Sequence, residues 1–295
     1  MKLLVTGRNG QVGFELQRSL APLGQVVALD REQCDIADPD ALRNVIRRVA
    51  PDIVVNAAAY TAVDKAESDE QRAHAANSVA PRLIGELARE TGALVVHFST
   101  DYVFDGAKQG AYNESDAPNP LSVYGRTKLL GERALAETGA RCLIFRTSWV
   151  YGAHGGNFVK TMLKLAAERT SLSVVADQFG APTSAALIAD VTAQILGQYI
   201  VERRGDLPFG LYHLSASGRT CWHEYARTII AAAEAAGRQL QLGPAQVRPI
   251  STSEYPTPAV RPPNSILDTA KLRETFGLHL PCWQSGLDHV LKQIL

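Results

Sequence analysis

The sequence predicts an α/β protein: a Rossmann-type doubly wound parallel sheet carrying a smaller mixed α/β substrate-binding domain. Three observations predict it. Short, continuously apolar runs alternate with helix-period segments through the first half of the chain. A glycine-rich turn, Gly7, Gly10 and Gly13, stands between the first such run and the first helix. A Tyr-x-x-x-Lys pair, Tyr124 and Lys128, opens a later helix. Strands apolar along their whole length belong to a parallel sheet covered on both faces, and such sheets bind ligands beyond the carboxyl ends of their strands.

The elements follow in order. Leu3 to Val5 is a strand, after which Val12, Leu16 and Leu20 recur at i, i+4 and i+8, one face of a helix. Val26 to Leu29 is a second strand. Asp38 is a candidate cap, Pro39 suits a first helical turn, and Leu42, Val45, Ile46 and Val49 keep helical spacing. Ile53 to Val55 and Leu94 to Phe98 are further strands, Tyr124 to Glu137 a helix, and Leu143 to Phe145 another strand. The second half is less regular, with Pro244, Pro249, Pro256, Pro258, Pro262 and Pro263 in a stretch of loops and short strands. The expected division is a dinucleotide-binding domain over 1–147 and a mainly substrate-binding domain over 148–295, with some segments returning to the first.

The 295 residues are enough for a large core and one or two domains. A chain 46% hydrophobic and 20% charged has the mix of a soluble globular protein. Lys plus Arg equal Asp plus Glu at 30 each, which gives no reason to expect nucleic acid or an anionic membrane as a partner. Cys34, Cys142, Cys221 and Cys282 are far apart without a C-x-x-C pair, as reduced thiols are. No run approaches the ~18 apolar residues of a membrane-spanning helix, and the opening reads as a strand rather than a signal peptide. Cytoplasm is the expected compartment.

The motifs point to hydride transfer. Glycines between a strand and a helix allow a tight turn and let backbone amides approach a pyrophosphate, which the helix N-terminus also favours. Asp30 ends the second strand, 23 positions after Gly7, where a carboxylate would hold an adenosine ribose. Arg31 beside it would suit a 2′-phosphate, so NADH and NADPH both stay open. Asp35 and Ile36 would flank the adenine, and the small residues of Asn56 to Tyr60 would let a flat cofactor lie against the backbone. Tyr124 and Lys128 share a helix face. A tyrosine whose pKa is lowered by a nearby ammonium and a positive nicotinamide is a proton donor for a carbonyl oxygen. Thr100 would donate a second hydrogen bond there, with Ser99 as the register alternative. Trp149 follows a strand and can stack on a sugar or join the core. Trp222 and Trp283 read as core anchors, and His97 as a satisfied core residue.

Together these residues resemble the extended short-chain dehydrogenase/reductase family. STDYVFDG from Ser99, YGRTKLLGE from Tyr124, RTSWVYG from Arg146, DQFGAPT from Asp177 and RPPNSILD from Arg261 are similar to its dTDP-4-dehydrorhamnose reductases, nearly end to end. The resemblance implies reduction of the 4-keto group of dTDP-4-dehydro-L-rhamnose with NADPH or NADH, giving dTDP-L-rhamnose for bacterial surface polysaccharide. It implies Thr100, Tyr124 and Lys128 as the catalytic set. Val63, Thr100, Asp101, Tyr102 and Trp149 would line the sugar site, and Arg261 would serve the nucleotide diphosphate. Gly7, Gly10, Gln11, Val12, Gly13, Asp30, Asp35, Ile36, Ala57, Ala58, Tyr124 and Lys128 would hold the cofactor. Some family members form magnesium-bridged dimers. Glu15 and Asp288 would supply two carboxylates, but the third falls near Ala186, so Mg2+ is not expected and a monomer or weak homodimer is. Two other readings are a sugar-nucleotide epimerase or dehydratase on the same scaffold and a non-catalytic cofactor-binding regulatory subunit. A dehydratase would carry Glu after Asp101, where this chain has Tyr102.

Overall fold

The computed structural model describes residues 1–201 and 207–295. Strands β1 (Lys2–Thr6), β2 (Gln25–Leu29), β3 (Ile53–Asn56), β4 (Leu94–Thr100) and β5 (Cys142–Thr147) run parallel. The short strands β6 (Val150–Tyr151), β7 (Leu172–Val175), β8 (Phe179–Gly180) and β9 (Thr183–Ser184) follow, and β10 (Gly210–His213) then returns to pair with β5. Among the described residues the central sheet has six strands in the order β10-β5-β4-β3-β1-β2. The order reverses between β1 and β3, which opens a crevice at their carboxyl ends.

Helices cover both faces, as the fully apolar strands require. On one face α1 (Gln11–Leu20) packs Leu16 and Leu20 against β1, with Ile188, Val191 and Ile195 of α8 (Ala185–Val201) beside them. The other face buries Leu42, Val45 and Ile46 of α2 (Pro39–Val49) and Leu83, Ile84 and Leu87 of α5 (Ala80–Thr91). Asp38 caps α2 by accepting from the Asp40 and Ala41 amides at 2.9 and 3.2 Å. After β3 the chain passes through α3 (Val63–Ala66), α4 (Glu70–His74) and a π-turn, Ala75–Val79, into α5. Asn77 in that π-turn clamps the loop after β3: it accepts from the Tyr60 amide at 2.8 Å and donates to the Tyr60 carbonyl at 3.0 Å.

A separate core lies beyond β5. It joins α7 (Phe158–Glu168), α9 (Trp222–Ala235) and α11 (Trp283–Ile294) to β7 and, past the short β11 (Thr220–Cys221), to β12 (Val247–Ile250), around Leu163, Tyr225, Ile229, Trp283 and Leu287. This part is not one continuous stretch of chain. Residues of α8, β10 and α10 (Ala270–Phe276) belong to the core of the central sheet. The four cysteines are free thiols. Among the described residues no helix is long and apolar enough to cross a membrane.

Candidate active site

A cleft of about 670 Å³ lies over the carboxyl ends of the strands, between the sheet and the second core. Its size is that of small-molecule and cofactor sites. At one end is the glycine turn. Gly7 has φ +74°, and a Cβ there would lie 2.8 Å from the backbone of Ala58. A Cβ on Gly13 would lie 2.1 Å from the Gly7 carbonyl. These two positions therefore seat the turn against β3 and the helix against the turn. Gly10 caps α1 without a side-chain hydrogen bond, so the first helical turn, with Gln11 and Val12 in the cleft wall, presents its amides to a ligand. A pyrophosphate fits this cradle: it would be held by backbone donors at a helix N-terminus.

The end of the cleft beside β2 carries charges of both signs. Asp30 accepts from the Gln33 amide at 3.1 Å and stands 3.4 Å from Arg8. Asp35 holds Arg31 at 3.3 Å and Arg72 at 2.9 Å, and all three line the cleft with Ile36, Ala57 and Ala58.

At the centre the sequence places Thr100 at the end of β4 and Tyr124 at the start of α6 (Val123–Glu137). Ser122 fixes that start by accepting from the Gly125 amide at 3.1 Å. The Thr100 hydroxyl donates to Asp101 at 2.9 Å and accepts from the Tyr102 amide at 3.2 Å. Burial pushes the Tyr124 phenol up to about 12, Thr100 offsetting this and Asp101 adding to it. Burial thus opposes the lowering expected from an ammonium and a positive nicotinamide. The Lys128 ammonium donates to the Phe98 carbonyl and lies 3.4 Å from His97. Burial brings Lys128 down to about 8, with Glu132 opposing. His97 is buried as expected, but its partners are Asn56 and Lys128, which makes it a neighbour of the site. The Ser99 hydroxyl is buried without a hydrogen-bond partner.

The far end holds Asp101, Tyr102, Val63 and Trp149. Burial raises the Asp101 carboxyl to about 6, against hydrogen bonds from Ser265 and Thr100. Trp149 has φ +49°, a left-handed conformation uncommon for a bulky residue. Its ring lies where a Cβ of Gly180 would sit, at 2.5 Å, and stacks on Trp222 with centroids 3.5 Å apart. Trp222 packs against the second core, its ring 4.6 Å from that of Phe158, and from there it also lines the cleft. Trp283 is buried in the second core. Two expected site residues do not face the cleft. Gly13 is packed behind the turn, and Arg261 forms a paired contact with Asp64, both bonds at 2.6 Å. Arg72, Asn157 and Trp222 face it without having been singled out for it. Asn157 caps α7 by accepting from the Lys160 amide at 3.2 Å, but its bond to Gln11 at 3.0 Å crosses 146 positions and leaves no local signal.

A glycine cradle, a threonine at a strand end and a Tyr-x-x-x-Lys helix over one parallel sheet define a nicotinamide-dependent reductase of the extended short-chain type. The chain belongs to the family described as RmlD substrate binding domain, which matches residues 1–295. It is 49% identical over 296 residues to a dTDP-4-dehydrorhamnose reductase of Burkholderia thailandensis, covering 100% of this chain and 99% of that one. A Salmonella typhimurium relative of the same name is 49% identical over 298 residues, covering 100% and 98%. The solved dTDP-4-dehydrorhamnose reductase of Bacillus anthracis in complex with NADP superposes with a TM-score of 0.88 at 34% identity, covering 99% of each chain. A UDP-glucose 4-epimerase of Thermus thermophilus shares the fold at 22% identity, TM-score 0.80, covering 100% of this chain and 99% of that one.

Proposed function

We propose that this chain reduces the 4-keto group of dTDP-4-dehydro-L-rhamnose to dTDP-L-rhamnose with NADPH or NADH, the last step in making that sugar nucleotide for surface polysaccharide. The observation that carries it is the meeting of Thr100, Tyr124 and Lys128 with the glycine cradle in one cleft, in a chain 49% identical end to end to relatives of that activity. When bound, the dinucleotide supplies hydride to the carbonyl carbon. Tyr124, a neutral phenol at physiological pH, gives its proton to the carbonyl oxygen as negative charge develops there. The Thr100 hydroxyl turns from Asp101 to the same oxygen and stabilises that charge. Lys128, buried and close to its titration point, favours the charged phenolate once the proton has left. Trp149 and Asp101 hold the sugar, and Asp30 holds the adenosine ribose.

A dehydratase reading is not favoured, because Tyr102, where a dehydratase would place a carboxylate, has its proton held by burial. We assign the protein to the cytoplasm as a monomer or weak homodimer without a magnesium bridge. Glu15 is paired with Arg18 at 3.4 Å, and position 186 is alanine. The test is consumption of NADPH and NADH with freshly made dTDP-4-dehydro-L-rhamnose, followed by absorbance and product chromatography. A dTDP-L-rhamnose peak supports the reading. Cofactor binding without consumption would move the protein to another sugar nucleotide or to a regulatory role.

A further inference from the structure

A line of polar side chains crosses the sheet beneath the cleft. Thr6 ends β1, Asn56 ends β3, and His97 lies in β4; Thr6 and Asn56 are register partners, as are Asn56 and His97. Lys128 of α6 closes the line. Each is at most 2% exposed. The neighbouring positions of these strands are Leu, Ile, Val and Phe, and a buried polar group left without a partner costs about 1–3 kcal/mol.

The hydrogen bonds have a direction. The Ala58 amide, which can only donate, donates to Thr6 Oγ1 at 3.3 Å. Thr6 passes its own proton to Asn56 Oδ1 at 2.7 Å. That turns Asn56 Nδ2, again only a donor, to His97 Nδ1 at 3.1 Å. Nδ1 must then be bare. Burial and Lys128 hold the imidazole pKa well below its usual value, so the ring is neutral with its single proton on Nε2. Nε2 faces Lys128 Nζ at 3.4 Å. The opposite direction would give Thr6 two donors and leave its own proton without an acceptor in the line.

We infer that Thr6, Asn56 and His97 are positioning residues that set the protonation of Lys128, by presenting it with an N–H rather than a lone pair. An N–H suits the lone pair of a neutral amine and opposes an ammonium. The other groups around Lys128 are few. The Phe98 carbonyl accepts from it. Glu132, one turn along α6, favours the charged form but is itself held by Arg146 at 2.9 and 2.6 Å. Tyr124 lies one turn back. Burial brings Lys128 down to about 8, so the face that His97 shows it bears on the balance between the two forms. The inference rests on the reading of Lys128 as part of the hydride-transfer site.

The test uses the full chain labelled with 15N-histidine, the His97 signal being assigned by its loss in His97→Asn. Long-range 15N–1H spectra across neutral pH should show His97 as the neutral Nε2–H tautomer; an Nδ1–H tautomer or a charged ring would overturn the inference. Asn56→Asp places an acceptor at Nδ1, moves the ring proton from Nε2 to Nδ1 and offers Lys128 a lone pair. The alkaline limb of the kcat profile should then move up by about one pH unit, with cofactor Kd within about twofold. A limb that stays in place while the tautomer changes would also overturn it. If Asn56→Asp does not fold, Thr6→Val frees the Asn56 amide to flip and should give a mixture of both tautomers. Loss of the reductase reading would appear separately, as absent turnover in a parent protein whose tautomer is as predicted.

Discussion

The two ends of the cleft differ in how the chain builds them. The end proposed for the cofactor is made from consecutive strand ends of one sheet: Gly7 and Gly10 after β1, Asp30 after β2, Ala57 and Ala58 after β3. The end proposed for the substrate is made from residues far apart in sequence, with Trp149 stacked on Trp222 and Val63 in one wall with Asp101 and Tyr102. A strand-and-turn site is specified by local pattern, so its side chains hold position through backbone geometry. A site formed between two cores depends on how those cores meet, and its side chains hold one another.

That contrast gives four ways to break or sharpen it. The largest effect is expected at the junction of the two ends. Tyr124→Phe should lower kcat by about 10²–10⁴-fold, the usual worth of a positioned acid, with cofactor Kd unchanged. Near-normal turnover would remove Tyr124 from the proton step. At the cofactor end Gly7→Ala forces a side chain into a left-handed position against the Ala58 backbone. Steric overpacking of this kind costs about 1–3 kcal/mol, so calorimetric titration should show NADPH affinity down by about tenfold or more, with a lower Tm. At the substrate end Trp222→Ala removes one ring of the stack, worth about 0.5–1.5 kcal/mol beyond its area. KM for the sugar nucleotide should rise by about threefold to tenfold while cofactor Kd holds. Equal losses in both would mean that the two ends are not separable.

The smallest effect is a pH dependence of stability. The Asp101 carboxyl is raised to about 6 from 3.8. The folded protein therefore holds more protons than the unfolded chain between those values, and stability falls as pH rises through that window. Asp101→Asn keeps an acceptor for Thr100 and removes the buried charge. Its Tm should match the parent near pH 4 and exceed it at pH 8 by a few degrees, at roughly 2–4 °C per kcal/mol for a chain of this size. A gap that is the same at both pH values would assign the effect to packing instead of charge.

The same contrast explains what could be read from the sequence. The sheet, its order of helices and the glycine turn follow from periodicity and from turn chemistry, which are local. Thr100, Tyr124 and Lys128 lay in motifs, so their convergence was foreseeable. The environment of Tyr124 was not: its pKa depends on how completely α6 and the loop after β4 bury it, and Lys128 turns to Phe98 and His97. Trp222 read as a core residue and does pack against the second core, but composition cannot show that the same ring also lines the cleft. Nor could spacing pair Arg261 with Asp64, which stand 197 positions apart.

The most direct test of the account follows the hydride itself. The protein is incubated with NADPH deuterated at the transferable C4 position and with dTDP-4-dehydro-L-rhamnose, and the product is read by mass spectrometry and NMR. The account predicts dTDP-L-rhamnose carrying one deuterium at sugar C4, and none in the presence of Tyr124→Phe on the same time scale. Unlabelled product, or a different sugar nucleotide, would contradict it.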